Sequence, residues 1–310
     1  MYEYLFQLKN KKKVSGFKEW EQFNHSEDYL IYPQNIGKNL GIDELSLSKG
    51  ELYTFVTNKN GRGKKKTLVA VIKGTKSQDI INVLNKIPLE KRKLVKEITL
   101  DMANNMQLAS RICFPESNLV TDRFHVVKLV MEALQHQRIK LRWEAIEKEN
   151  QAIKIAKEKG IKYVPIVFEN EDTPKQLLAR SRYIIAKKTN EWTPNQKVRA
   201  ELLFKNYPHL HQAYKHTLEF RNIYEQTSKE LAKEQFLNWI EKTKLLKLND
   251  FNTAANSLKY HLETILNFFI KRHTNANAES FNSKIKLFRA NLRGVVDVKF
   301  FLFRMEKLFA

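Results

Sequence analysis

Between residues 39 and 121 five short runs of apolar and β-branched residues are each closed by a turn residue or an acid, which is the pattern of strands. They are Asn39–Asp43, Leu52–Thr57, Thr67–Ile72, Val95–Leu100 and Asn118–Thr121. Asn58-Lys59-Asn60-Gly61, after the second run, is a hairpin signal. The period then changes. Ile80, Ile81, Leu84 and Ile87 recur at helical intervals behind Ser77, a residue suited to capping, and a second amphipathic helix is predicted over Asn104 to Ile112. Tight connections make the first three strands an antiparallel meander. The last two, reached through helices, must run parallel to a neighbour. The prediction is an α/β fold, a mixed five-stranded sheet with helices on its faces.

From residue 126 to 270 the chain is charged, helical in spacing and poor in breakers. Val127, Leu129, Val130, Leu134, Ile139 and Leu141 open one long helix, and Pro165, Pro174, Pro194 and Pro208 mark breaks between others. A last helix is expected from about Asn277 to carry the basic C-terminus. The division predicted is a small helical lead-in over 1–37, the sheet over 38–129, a helical insertion over 130–270, and a return to the sheet over 271–310.

Composition narrows the class. The chain has 310 residues, 42% hydrophobic and 29% charged, which is globular, and its 9 Gly and 7 Pro are too few for a turn-dense sandwich. A lone cysteine, Cys113, excludes an internal disulfide framework and any CxxC zinc finger within these residues. No apolar run reaches membrane-spanning length and the N-terminus lacks the order of a secretory signal, so no membrane partner and a cytoplasmic location are expected. The net charge of +21 matters most: a strongly basic protein attracts polyanions, of which nucleic acid is the usual one.

Candidate chemistry lies in the acids. Asp43, Asp101 and Asp122 each sit at the downstream end of a predicted strand, the edge where open α/β sheets bind ligands. Carboxylates gathered there repel unless a cation lies between them, and Mg²⁺ favours such oxygen ligands together with phosphates. In the last helix Glu279, Asn282, Ser283 and Lys286 fall on one face, continued by Arg289 and Arg293. Phe281, Ile285, Phe288 and Leu292 form the opposite, core-facing stripe.

Gly41-Ile42-Asp43-Glu44, Glu97-Ile98-Thr99-Leu100-Asp101-Met102, Thr121-Asp122-Arg123-Phe124-His125-Val126 and Thr274-Asn275-Ala276-Asn277-Ala278-Glu279-Ser280-Phe281-Asn282 with Lys284-Ile285-Lys286 resemble the catalytic part of bacterial insertion-sequence transposases of the ISL-three family. The resemblance runs from about residue 38 to the C-terminus, and Leu177–Tyr183 with Leu218, Arg221, Ile223 and Tyr224 extend it through the insertion. It implies an RNase H-like fold with an Asp-Asp-Glu triad of Asp43, Asp101 and Glu279 holding two Mg²⁺ ions, with Mn²⁺ a substitute. It implies that Asp122 and His125 form an acid-x-x-His motif beside the triad, and that Lys286, seven residues after Glu279, contacts a phosphate. Lys284, Arg289, Arg293 and Arg123 join the expected DNA-contacting set, with Trp192 as a base-stacking candidate.

The implied activity is metal-dependent cleavage of phosphodiesters at insertion-sequence ends and strand transfer to target DNA, by a homo-oligomer assembled on DNA. Members usually carry an N-terminal zinc-binding and helix-turn-helix region, which the residues before Asp43 do not supply, so a separate DNA-binding polypeptide is an expected partner. The competing readings are an RNase H-like nuclease without strand transfer and a catalytically inactive DNA-binding remnant.

Overall fold

The computed structural model describes residues 16–48, 50–272 and 276–310, with side chains in the last stretch from Ser280 onward. The described chain divides into two compact units. One contains the residues up to Arg123 and those from Glu263 to Ala310, and the other contains Phe124–Leu262.

The first unit is built on a mixed six-stranded sheet. Its strands are β1 (Tyr29–Ile31), β2 (Asn39–Ser48), β3 (Glu51–Asn58), β4 (Leu68–Lys73), β5 (Glu97–Leu100) and β6 (Asn118–Thr121), in the order β1-β4-β3-β2-β5-β6. β2, β3 and β4 form the predicted antiparallel meander. β5 pairs parallel with β2, and β6 parallel with β5. The sixth strand corrects the expectation for the N-terminal segment. Residues 29–31 are not helical but pair antiparallel with β4, and Phe17, Trp20 and Phe23 pack into the core behind them. Alternation over three residues is too short a signal to separate a strand from a turn.

β2 also differs from prediction. It does not stop at Asp43 but continues to Ser48, because Leu45 and Leu47 prolong the alternation, and Leu45, Ser46 and Ser48 pair across to β3 with an irregularity at Leu47. Asp43 is thus mid-strand. The hairpin after β3 forms as expected: the Asn58 side chain accepts the Asn60 N–H at 3.0 Å, and Lys59–Gly61 make one 3₁₀ turn. Gly61 is required there, since a Cβ would lie 2.6 Å from the Thr67 Cα.

The two sheet faces bury different helices. Leu40, Ile42, Val56, Ala70, Ile72, Ile98 and Leu100 point to the face covered by α1 (Ser77–Leu84) and α2 (Asn104–Cys113). Ser77 is the first helical residue of α1 rather than its cap: Lys76 holds the cap position, without a side-chain bond. Leu45, Leu47, Tyr53, Phe55 and Val71 point to the other face.

That other face is covered by the C-terminal helices. The single helix expected there is two, α9 (Ala276–Asn291) and α10 (Val298–Phe309), separated where Arg293 and Gly294 take positive φ. Phe281 and Ile285 are fully buried, and the Phe281 ring meets Phe55 at 6.3 Å edge-on. Glu306 of α10 accepts from the Trp20 indole at 2.6 Å and the Tyr32 hydroxyl at 2.8 Å, tying the N-terminal segment to the last helix.

The second unit is helical: α3 (Arg123–Glu158), which begins at the unit boundary, α4 (Pro174–Arg180), α5 (Pro194–Asn206), α6 (Pro208–Ile223), α7 (Lys229–Leu246) and α8 (Asn249–Tyr260). Pro174, Pro194 and Pro208 each occupy the first turn of a helix, where a missing N–H costs nothing. Its core includes Phe220, Tyr224, Phe236, Trp239 and Phe251, all buried.

Candidate functional site

The β2–β5 register sets the position of two acids. Gly41 lies opposite Thr99 in this parallel pair, so two residues further on Asp43 stands level with Asp101. Neighbouring strands lie about 4.8 Å apart. Both acids follow the odd-numbered positions, opposite to Ile42 and Leu100, and therefore share the face that α9 covers. The Asp43 carboxylate accepts the Glu44 N–H at 2.8 Å through Oδ1 and the Asn282 side-chain amide at 2.6 Å through Oδ2. Asp101 Oδ1 accepts the Ala103 N–H at 2.8 Å. Glu44 senses both: burial first, then the charges of Asp101 and Asp43, raise its carboxyl above the ordinary range.

Asn282 is the site residue that sequence reasoning noticed without giving it a role. It is buried on α9, one turn after Glu279, and ties that helix to Asp43. The backbone of Glu279 is in α9; its side chain lies outside the described residues, as do Thr274 and Asn275 of the same motif. Among the described side chains no group of three His, Cys, Asp or Glu is arranged to hold an ion. Two of the three expected ligands nevertheless share one level of one face, beside a helix that carries the third. Hard oxygen donors gathered at the end of a parallel ladder are the donor set that Mg²⁺ takes.

Asp122 continues the line. Leu100 lies opposite Thr121, so Asp122 is level with Asp101, and its N–H donates to the Leu100 carbonyl at 2.8 Å. Its side chain is 2% exposed and acts on Lys59, a second residue that sequence reasoning passed over. Lys59 is 7% exposed, with Nζ 3.4 Å from Glu97 Oε1 and hydrogen-bonded to the Thr99 hydroxyl. Burial pulls its ammonium below the ordinary range, while Glu97 and Asp122 oppose that shift.

The remaining candidates are placed less uniformly. His125 lies in the first turn of α3, half-buried and edge-on to Phe124 at 5.4 Å, and Arg123 is half-buried at the start of the same helix. Lys284 Nζ donates to the Gly63 carbonyl at 2.8 Å, tying α9 to the β3–β4 connection, and Arg289 donates to the Ser46 carbonyl at 2.8 Å, tying it to β2. Arg293 follows the end of α9, so it does not continue the helical face predicted for it. Lys286 is exposed on α9. Trp192 donates its indole N–H to the Ile184 carbonyl at 2.8 Å and stacks on Tyr214 at 5.6 Å, which places it as a packing residue of the helical unit.

A mixed sheet of this order, with carboxylates level on adjacent parallel strands and a C-terminal helix on the same face, belongs to the α/β class of RNase H-like catalytic cores. A family model for transposases, the ISL3 type of the Asp-Asp-Glu group, matches residues 40–305, and the chain belongs to that family. It is 23% identical over 274 residues to the transposase for insertion sequence element IS1001 of Bordetella parapertussis. The match covers 87% of this chain and 60% of that protein, so the chain spans about three-fifths of its relative's length.

Proposed function

We propose that this chain is the catalytic part of a DNA transposase that cleaves phosphodiester bonds at insertion-sequence ends and joins the freed 3′ ends to target DNA. The observation that carries the reading is the alignment of Asp43 with Asp101 on the face covered by α9, with Asn282 bonded to Asp43 one turn from Glu279. Asp43, Asp101 and Glu279 are the residues that would hold divalent ions, Mg²⁺ in the first place. Bound there, Mg²⁺ supplies activation of a water and stabilisation of the leaving 3′ oxygen.

The chain's own groups do the positioning. Asn282 and the Glu44 N–H fix both oxygens of Asp43, so that carboxylate keeps one orientation through the reaction. The Ala103 N–H does the same for one oxygen of Asp101. Lys286, exposed on α9, takes a backbone phosphate beside the cleaved bond. Water attacks phosphorus and the 3′ oxygen departs. The resulting 3′-OH then attacks a target phosphodiester, whose own 3′ oxygen leaves, so each step exchanges one P–O bond for another. His125 orients the scissile phosphate, and Asp122 with Lys59 holds the level of β6 beside β5. A separate DNA-binding polypeptide and a homo-oligomeric complex on the element ends belong to the same proposal.

The test is Mg²⁺-dependent nicking of terminal-repeat DNA by the wild type and by Asp101→Asn, with products examined for joining to target. Loss of nicking in the variant and joined products in the wild type are expected. Nicking retained by Asp101→Asn overturns the assignment; nicking without joined products makes the chain a nuclease.

A further inference from the structure

The helical unit contains a group of cations that the proposed chemistry does not use. Arg138 of α3 is 5% exposed, and its guanidinium is held by neutral oxygens: Nε donates to Gln135 Oε1 at 2.8 Å and Nη1 to the Leu178 carbonyl at 2.9 Å. The charges that act on it are those of Arg142 and Arg182, both of its own sign. Arg142 lies one turn further along α3 and is exposed; Arg182 follows the end of α4 and is also exposed. Among the described residues neither has a carboxylate partner. Neighbouring cations are arranged otherwise: Arg180 and Arg199 pair with Asp172, Lys175 with Glu149 and Lys188 with Glu225.

The group is also built, not merely gathered. Gln135 accepts from Arg138 and donates to the Arg182 carbonyl at 2.9 Å, fixing the segment after α4 against α3. The Arg182 guanidinium lies over the Tyr183 ring at 5.5 Å, and that ring is 67% exposed. Like charges held together without a counter-ion cost free energy unless an anion joins them. Guanidinium forks match the geometry of phosphate oxygens.

We propose that Arg142 and Arg182, supported from beneath by Arg138, form a binding site for the phosphodiester backbone of DNA on the helical unit. The inference rests on the reading that this chain acts on DNA. It adds a DNA-binding surface within 124–262, away from the sequence of the carboxylate motifs. The site grips phosphate and does not depend on base sequence.

The test measures the affinity of the full chain for duplex DNA between 50 and 200 mM salt, comparing wild type with Arg142→Ala/Arg182→Ala. Each phosphate that is no longer neutralised lowers the salt slope by about 0.9, so the double variant should be shallower by about 1.8. Arg142→Lys/Arg182→Lys should keep the wild-type slope. Lys154→Ala/Lys157→Ala, which removes the same charge elsewhere on α3, should change the slope by less than half as much. An unchanged slope in the arginine variant, an equal effect of the two pairs, or a dependence seen with duplex RNA or inorganic phosphate and not with DNA overturns the proposal. Nicking by the wild type is scored in parallel. A chain that nicks DNA yet shows no arginine dependence refutes this site alone; a chain that neither binds nor nicks DNA refutes the transposase reading with it. Both arginines are exposed, so the variants are expected to melt within a few degrees of wild type, and that melting point is the check on folding.

Discussion

Lys59 brings a charge into the interior of the sheet unit, where Glu97 and the Thr99 hydroxyl receive it and Asp122 lies close enough to act on it. Removing one member of a buried pair leaves the other charge uncompensated and costs about 3–5 kcal/mol, whereas replacing both costs far less. Lys59→Met should therefore destabilise by about 3–5 kcal/mol, and Lys59→Met/Glu97→Gln should recover most of that, read by urea unfolding. A double variant as unstable as the single one contradicts the pairing. Asn282 acts on the carboxylate itself. Partners that orient a ligand are worth about 10–100-fold in metal affinity or activity, so Asn282→Ala should raise the Mg²⁺ concentration for half-maximal nicking by about tenfold, while Asn282→Asp should not restore the wild-type requirement. An unchanged Mg²⁺ titration would remove Asn282 from the site. At this scale the sequence was partly legible. The helical offset from Glu279 marked the face that Asn282 occupies, but nothing in Asn58-Lys59-Asn60-Gly61 marks the lysine as buried, because a hairpin turn ordinarily leaves such a side chain in water.

Among the elements, β2 and α9 decide the geometry. The stripe of Phe281, Ile285, Phe288 and Leu292 was readable from helical spacing, and it packs on the sheet as that spacing implies. Truncating the larger of its two fully buried members, Phe281→Ala, should cost about 3–5 kcal/mol and lower nicking, as the helix carrying Glu279 and Asn282 loses its anchor beside Phe55. Phe281→Leu should cost less and keep activity. A Phe281→Ala chain with wild-type stability and nicking would show that α9 does not depend on this ring and is held by its other contacts, among them Ile285, Asn282, Lys284 and Arg289. Less was legible in the ends of elements. Asp43 read as a strand terminus because an acid usually stops a strand, yet it sits beyond the short β5 ladder, where β2 has a neighbour on one side only and can expose a carboxylate without ending. The break between α9 and α10 was hidden because Arg293 and Gly294 interrupt a stretch whose apolar spacing continues on both sides.

For the whole molecule, the division into a sheet unit and a helical unit follows from where the period of the hydrophobic pattern changes, while the exchange of partners inside the helical unit does not show in spacing at all. His216 illustrates this. It stacks on Trp239 at 4.4 Å and shares a hydrogen bond with the Thr243 hydroxyl at 2.7 Å. Burial pulls its imidazole from 6.5 down to about 4, with Glu219 opposing and Lys242 assisting. The unfolded chain therefore binds a proton that the folded chain refuses between those two values, so stability should fall as pH drops from about 6.5 to 4, by about 3 kcal/mol. His216→Gln should flatten that dependence in the unfolding free energy; an identical slope would assign it to other groups. The net charge of +21 suits the proposed work on DNA, and everything proposed for the chain's chemistry depends on Asp43, Asp101 and Glu279 sharing divalent ions. The most direct measurement is anomalous diffraction from crystals of the chain grown with Mn²⁺. Anomalous peaks between the carboxylates of these three residues, lost in Asp43→Asn/Asp101→Asn, are the predicted result. Saturating Mn²⁺ with no peak among them, or peaks that persist in the double variant, would contradict it.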